Sequence, residues 1–280
     1  MALPNFTTRT SRARYYSMVC YGLAICEEYI NRHKLIFNDK TVMRLFEQYE
    51  KYWAYAVVAS YKGEMKERDP HESGLRGKRG ALRAYNSTTK TLGEGYKLLS
   101  RQLELGGLGA YRSSLERFGL IKNYSLSLTM QGRELAENFL PVGKNMGTQY
   151  QDMIIESMYQ ERILDKNGRA NIQNFGEYAC LDYYQHINND DGERELLRQV
   201  IIESDPVTYA TAMLALPLQG RWGESMLDFF EAVANAHPSD QSQANARDCF
   251  QTIYHFERLS MGLNKAFCTI VQSAFEQGGR

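Results

Sequence analysis

Apolar positions recur at helical intervals along most of the chain. Tyr16, Val19, Leu23, Cys26 and Ile30 follow one another in steps of three and four, which predicts a helix from about Ser11 to His33 with Ser11 as its N-cap. Val42, Leu45, Phe46, Tyr49, Trp53 and Ala56 make the stripe of a second helix, Lys40 to Ser60, with Asp39 placed to cap it. An aromatic row at this spacing reads as core rather than as a base-stacking platform. Residues 62–80, KGEMKERDPHESGLRGKRG, break the pattern with Asp69-Pro70 and four glycines and read as a loop. A helix from Ala81 to Lys90 follows, and Gly93 and Gly95 lead into another from Tyr96 to Leu105, with Leu98, Leu99, Leu103 and Leu105 inward.

The next stretch has a distinct grammar. Gly106-Gly107-Leu108-Gly109 allows a tight reversal. A short helix then carries Tyr111, Leu115 and Phe118 on one side, with Arg112, Ser113 and Arg117 towards the other, and Gly119 stops it. Ile121 to Leu128 has room for two short strands and a turn. Leu128-Thr129 opens a last helix with Leu135, Ala136 and Phe139 at core spacing. Beyond Pro141, Gly143 and Gly147 the pattern is helical again. Met153, Ile154, Met158 and Ile163 start it, Ile172 to His186 continues it, and further helices cover Glu193 to Glu203, Pro206 to Leu216 and Gly220 to Ala234. Pro206 suits a first-turn position after Asp205. A long final helix runs from Ser239 past Ala274, with Ile253, Phe256, Leu263, Phe267, Ile270 and Ala274 near heptad spacing, as in helices that pack on several neighbours or on a second subunit.

The Leu-Gly-Gly turn, Tyr111-x3-Leu115-x2-Phe118-Gly119-Leu120-Ile121 and Leu128-Thr129-x2-Gly132-x2-Leu135-Ala136 resemble the winged helix-turn-helix of bacterial DNA-binding regulators, MarR-like in the broad sense. The resemblance spans residues 93–140. It implies a winged helix, and the helical periodicity of the other segments makes the protein mostly α: the winged helix is embedded in an N-terminal helical domain, 1–142, and an all-α domain over 148–280 follows the break at Pro141, Gly143 and Gly147, where the sign of the charge changes. It also implies that the second helix of the turn meets duplex DNA. The departures are a short wing with Lys122 as its one base and Glu116 on the recognition helix.

Charge adds to this picture. The formal net charge of zero divides into +9 over residues 1–150 (23 Lys+Arg, 14 Asp+Glu) and −9 over residues 151–280 (10 and 19). A basic half that contains the helix-turn-helix fits a polyanion, and an acidic half fits protein contacts, to itself or to a partner; mutual attraction of the halves is the plainer alternative. Arg76, Lys78, Arg79 and Arg83 cluster at the loop end, Lys97 and Arg101 precede the turn, and Arg112, Ser113, Arg117 and Lys122 follow it. These are the candidate DNA-binding residues. The basic start of the chain, including Arg9, Arg12 and Arg14, has the character of an arm that packs locally or touches phosphate.

Other chemistries find no support. There is no nucleophile-elbow, zinc-protease or dinucleotide motif, and the five histidines are scattered, with His71 in the basic loop and His255 between apolar neighbours. Glu64, Glu67, Asp69 and Glu72 lie among lysines and arginines rather than around a metal. NNDDGERE, 188–195, lacks calcium-loop spacing and reads as a helix start, with Asp191 the cap and Glu193 and Glu195 in the positive first turn. No metal and no cofactor is expected. Five cysteines without metal spacing point to reduced, buried thiols, and the absence of an apolar signal core or spanning segment points to the cytoplasm and no membrane. Two functions remain. One is a non-enzymatic DNA-binding component of a bacterial multi-protein system, such as a regulator or a phage-defence assembly. The other is a helical scaffold or adaptor that binds protein partners without touching DNA.

Overall fold

A computed structural model describes residues 13–63, 75–87, 92–93, 95–140, 146–163, 171–181, 191–218 and 226–278. Among them the secondary structure is helical and no strand forms. The chain divides into two compact units at residues 198 and 199, well past the change of charge sign that placed a boundary at 142–148. The reason is packing: α7 (Met146–Tyr159) and α8 (Ile172–Ala179) lie against α2 (Asp39–Ser60) and belong to the first unit.

In that unit α1 (Arg14–Arg32) and α2 form the centre. Tyr15, Tyr16, Tyr49, Tyr52 and Trp53 are fully buried. Trp53 Nε1 donates to Ala179 O at 3.0 Å and Tyr52 Oη to Ser157 O at 2.6 Å, so the polar ends of the rings tie α2 to α8 and α7. The helix starts move from their expected residues. Ser11 lies outside the described residues, and Ala13 holds the cap position of α1 with no side-chain bond. Asn38, not Asp39, caps α2 by accepting from Thr41 N at 2.9 Å. Asp205 does cap its helix, accepting from Thr208 N at 2.7 Å with Pro206 next.

α3 (Lys78–Asn86) is followed by a segment that differs from expectation. Residues 96–101 are not helical, and only Gln102–Leu105, α4, makes a turn of helix. The chain there is pinned to α3: a Cβ on Gly80 would fall 2.5 Å from Leu98 O, and Tyr96 Oη donates to Gly80 O. A continuous helix through Leu98 would lose that contact. α5 (Gly107–Arg117) buries Tyr111 and Leu115, and Gly119 ends the segment with φ +68°. Thr129 caps α6 (Met130–Glu137), accepting from Gly132 N at 3.1 Å.

Two wing strands were expected between Ile121 and Leu128. Instead one antiparallel bridge joins those two residues, flanked by Lys122 N to Ser127 O and Thr129 N to Leu120 O. A turn at 122–125 with Tyr124 at φ +60° uses the intervening residues. The N–H groups of Leu126 and Leu128 face away from the bridge, to the carboxylates of Asp39 and Glu27, and the inward donors that a longer ladder needs are taken locally: Ser127 N donates to Ser125 Oγ at 3.2 Å and Leu120 N to Leu115 O at 2.9 Å. α9 (Asp191–Leu197) begins at Asp191 rather than being capped by it.

The second unit begins within a π-helical stretch, Arg198–Glu203, and goes on with α10 (Pro206–Ala215), α11 (Met226–Ala234) and α12 (Gln241–Gly278). Leu214, Val233, Ala234 and Phe250 are its core, with Phe229, Phe230 and Tyr254 packed around them. This core holds the first part of α12. Beyond Tyr254 the helix exposes Phe256, Leu259, Leu263 and Phe267. No helix among the described residues is long and apolar enough to cross a membrane.

Candidate functional site

The segment from α4 to α6 is built around a buried acid on α2. Glu50 is 1% exposed. Its carboxylate accepts from Gly107 N, at the start of α5, and from Gln102 Nε2 at 3.1 Å, on α4. A negative group at a helix N-terminus meets free N–H donors and the positive end of the dipole. Gly106 and Gly107 were read as a tight reversal, yet neither has a positive φ. Their use is room: a Cβ on Gly106 would fall 2.4 Å from Glu50 Oε2, and one on Gly107 3.2 Å from Oε1. Burial pushes the Glu50 carboxyl up to about 7, opposed by the Gly107 N–H, the Gln102 amide and the charge of Arg76.

The candidate DNA residues fall into two groups. Arg76 turns inward: its N–H donates to Tyr15 Oη at 2.9 Å and its guanidinium lies over the stacked rings of Tyr15 and Tyr111, 5.9 and 5.6 Å from their centroids. Arg112 is half-buried and sits among acids, with Nη2 3.2 Å from Asp39 Oδ2 and Nε 3.4 Å from Glu116 Oε1. Arg79, Arg83, Lys97, Arg101, Ser113, Arg117 and Lys122 are exposed, and Lys78 is half-buried. Arg101 pairs with Glu104 at 3.1 Å. Arg79 and Arg83 lie one turn apart on the exposed face of α3, and Ser113 and Arg117 one turn apart on α5.

Several other readings change. Arg14, taken as part of a basic arm, is buried against Glu193, which lies in the first turn of α9 as expected. His255 is exposed rather than structural. Cys20, Cys26 and Cys180 are buried, but Cys249 is half-buried and Cys268 exposed. His71 and the acids at 64–72 lie outside the described residues. No cluster of metal-binding side chains occurs among the described residues. Sequence reasoning missed Glu50, although its spacing held a signal: it follows Phe46 by four and precedes Trp53 by three, which sets it on the buried face. Comparison with family models, curated proteins and solved structures finds no match.

Proposed function

We propose that this chain is a non-enzymatic helical assembly subunit whose C-terminal helix pairs with the same helix of a second copy. One observation carries the reading: Phe256, Leu259, Leu263 and Phe267 are 66%, 62%, 63% and 66% exposed on α12. At 3.6 residues per turn they share a wedge of about 80°, and Glu257, Arg258 and Lys265 all fall more than about 100° from its centre. A contiguous apolar patch of this kind marks an interaction surface.

The stripe itself supports a second copy as the occupant. It reads Phe-Leu-Leu-Phe from either end, so an antiparallel two-fold pair sets Phe256 beside Phe267 of the partner subunit, twice, with the leucines between. The charges near the stripe include both signs and lie on its far face, so they do not oppose the pairing. Covering eight such side chains stabilises by roughly 10 kcal/mol, against an association cost of about 4–15 kcal/mol, which fits a reversible dimer. Leu263→Glu is expected to halve the mass measured by light scattering. Met261→Glu, an exposed position on the opposite face, is expected to leave the mass unchanged. Equal masses for the two variants would rule out pairing through this face.

A second reading is favoured by the exposed cations. The segment from α4 to α6 acts as a reduced winged helix that, flanked by α3, meets duplex DNA through Arg79 and Arg83 on α3, Ser113 and Arg117 on α5 and Lys122 after it. Arg112, committed to Asp39 and Glu116, contributes little. Phosphate contacts release counterions, so affinity falls steeply with salt. Arg79→Glu with Arg117→Glu is expected to weaken duplex binding and flatten that salt slope, with thermal stability nearly unchanged because exposed charges contribute about 0–1 kcal/mol. Wild-type protein that ignores duplex DNA at low salt would exclude this reading.

A further inference from the structure

A cavity of about 130 Å³ lies between α2 and the start of α5, lined by Met43, Phe46, Glu47, Glu50, Gln102 and Leu108, with Arg112 and Gly109 completing its wall. Its polar groups are mostly acceptors. Gln102 is 6% exposed, and its amide has one orientation: Nε2 donates to Glu47 O and to Glu50 Oε2, both at 3.1 Å, whereas a flipped amide would set oxygen against oxygen. Gln102 Oε1 is therefore a buried acceptor with no hydrogen-bond partner. Such an atom costs about 1–3 kcal/mol, which a donor placed in the cavity recovers. Glu47 and Glu50 bring carboxylates to the same space, Glu47 Oε1 lying 3.8 Å from the buried Lys51 Nζ and leaving its second oxygen for the cavity, while Arg112 is held by Asp39 and Glu116. Met43, Phe46 and Leu108 supply an apolar wall.

We propose that this cavity binds a small primary alkylammonium ion, its N–H donors directed at Gln102 Oε1 and the Glu47 and Glu50 carboxylates and its stem against Met43, Phe46 and Leu108. A cavity of about 150 Å³ holds the six carbons of benzene, so this one has room for the four heavy atoms of propylammonium. Occupancy acts on the carboxylate that holds Gly107 N, so it steadies the start of α5. Glu50 must be ionised to receive the ligand, and burial holds its carboxyl up at about 7. The charged and titratable groups around it are Glu47, Arg76, Arg112, Tyr15 and Tyr49, and burial pushes both tyrosines upward, away from neutrality. Binding thus releases a proton, and affinity rises about tenfold from pH 6 to pH 8.

The test titrates the full chain with propylammonium chloride, followed by calorimetry and amide NMR, beside 1-propanol and sodium propionate. Saturable one-to-one binding of the amine alone is expected, with shifts at Gln102, Gly107 and Leu108. Glu47→Gln, at a half-buried position, is expected to weaken it several-fold, and Met43→Trp, which fills the mouth, to abolish it. Equal binding of 1-propanol would mean an apolar hole without charge recognition. No saturation, or binding untouched by both variants, would likewise overturn the proposal.

Discussion

Replacing Arg14 by alanine is expected to lower the free energy of unfolding by about 3–5 kcal/mol, the cost of breaking a buried ion pair. Arg14 and Glu193 are 3% and 1% exposed. Arg14 Nε lies 3.1 and 3.3 Å from the two Glu193 oxygens, Nη2 donates to Phe139 O at 2.7 Å, and Nη1 donates to Cys180 O. The guanidinium also lies over the Phe139 ring, 4.7 Å from its centroid. One side chain thus joins the start of α1 to α9 and to the chain after α6 and α8. Alanine leaves the Glu193 carboxylate and two carbonyls in a dry site. Lysine does not substitute, because a single ammonium cannot reach the carboxylate and both carbonyls as the planar fork does. Urea denaturation followed by circular dichroism reads the loss. Glu193→Ala in the Arg14→Ala background should cost less than it does alone, since the pair acts as a unit. A loss under about 1 kcal/mol for Arg14→Ala would place this pair among exposed ones and contradict the buried network.

The second large effect belongs to Gly176. A Cβ at that position would lie 1.9 Å from Ala56 O, 2.4 Å from Ala56 C and 2.9 Å from Val57 N. All three are backbone atoms of α2, so no side chain can turn aside and the two helices must separate. Phe175, fully buried beside Gly176, and the Trp53 bond to Ala179 would move with them. Gly176→Ala is expected to cost about 3 kcal/mol, the upper part of the range for overpacking, despite the gain of about 1 kcal/mol in helix propensity. Gly95→Ala is the control, since nothing lies within 4 Å of a Cβ there. If both variants unfold at the same urea concentration as the parent, α2 and α8 do not cross as closely as described.

What could be read in the sequence depended on how far apart the interacting residues are. The stop at Gly119, the helix opening at Leu128-Thr129 and the first-turn Pro206 after Asp205 are local devices, and each occurs where its residues placed it, whereas α5 starts at Gly107, inside the glycine run read as a reversal. Glu50 and Gly107 are 57 positions apart and Arg14 and Glu193 are 179 apart, so neither contact leaves a local pattern. The leucines at 98–105 had helical spacing, but the fit of Leu98 against Gly80 keeps the first part of that segment out of a helix. The wing did not form because the inward N–H groups that its ladder required turn to nearer acceptors, Ser127 N to Ser125 Oγ and Leu120 N to Leu115 O. On α12 the spacing picked out Phe256, Leu263 and Phe267 but not Leu259, and the side chains of Ile270 and Ala274 lie outside the described ones. Spacing alone does not tell whether a face is covered, and exposure of the four side chains supplies that. The cations at Arg79, Arg83 and Arg117 were legible as charges, and so was Glu116 four residues after Arg112, while Asp39 beside Arg112 was not, because it comes from α2.

Sedimentation equilibrium of the wild-type chain over a range of concentrations tests self-pairing through α12 most directly. The mass is expected to rise with concentration towards twice the 32.2 kDa of one chain. It should hold there as salt increases, because the stripe is uncharged and apolar burial is not screened. A mass of one chain at every concentration would contradict the pairing.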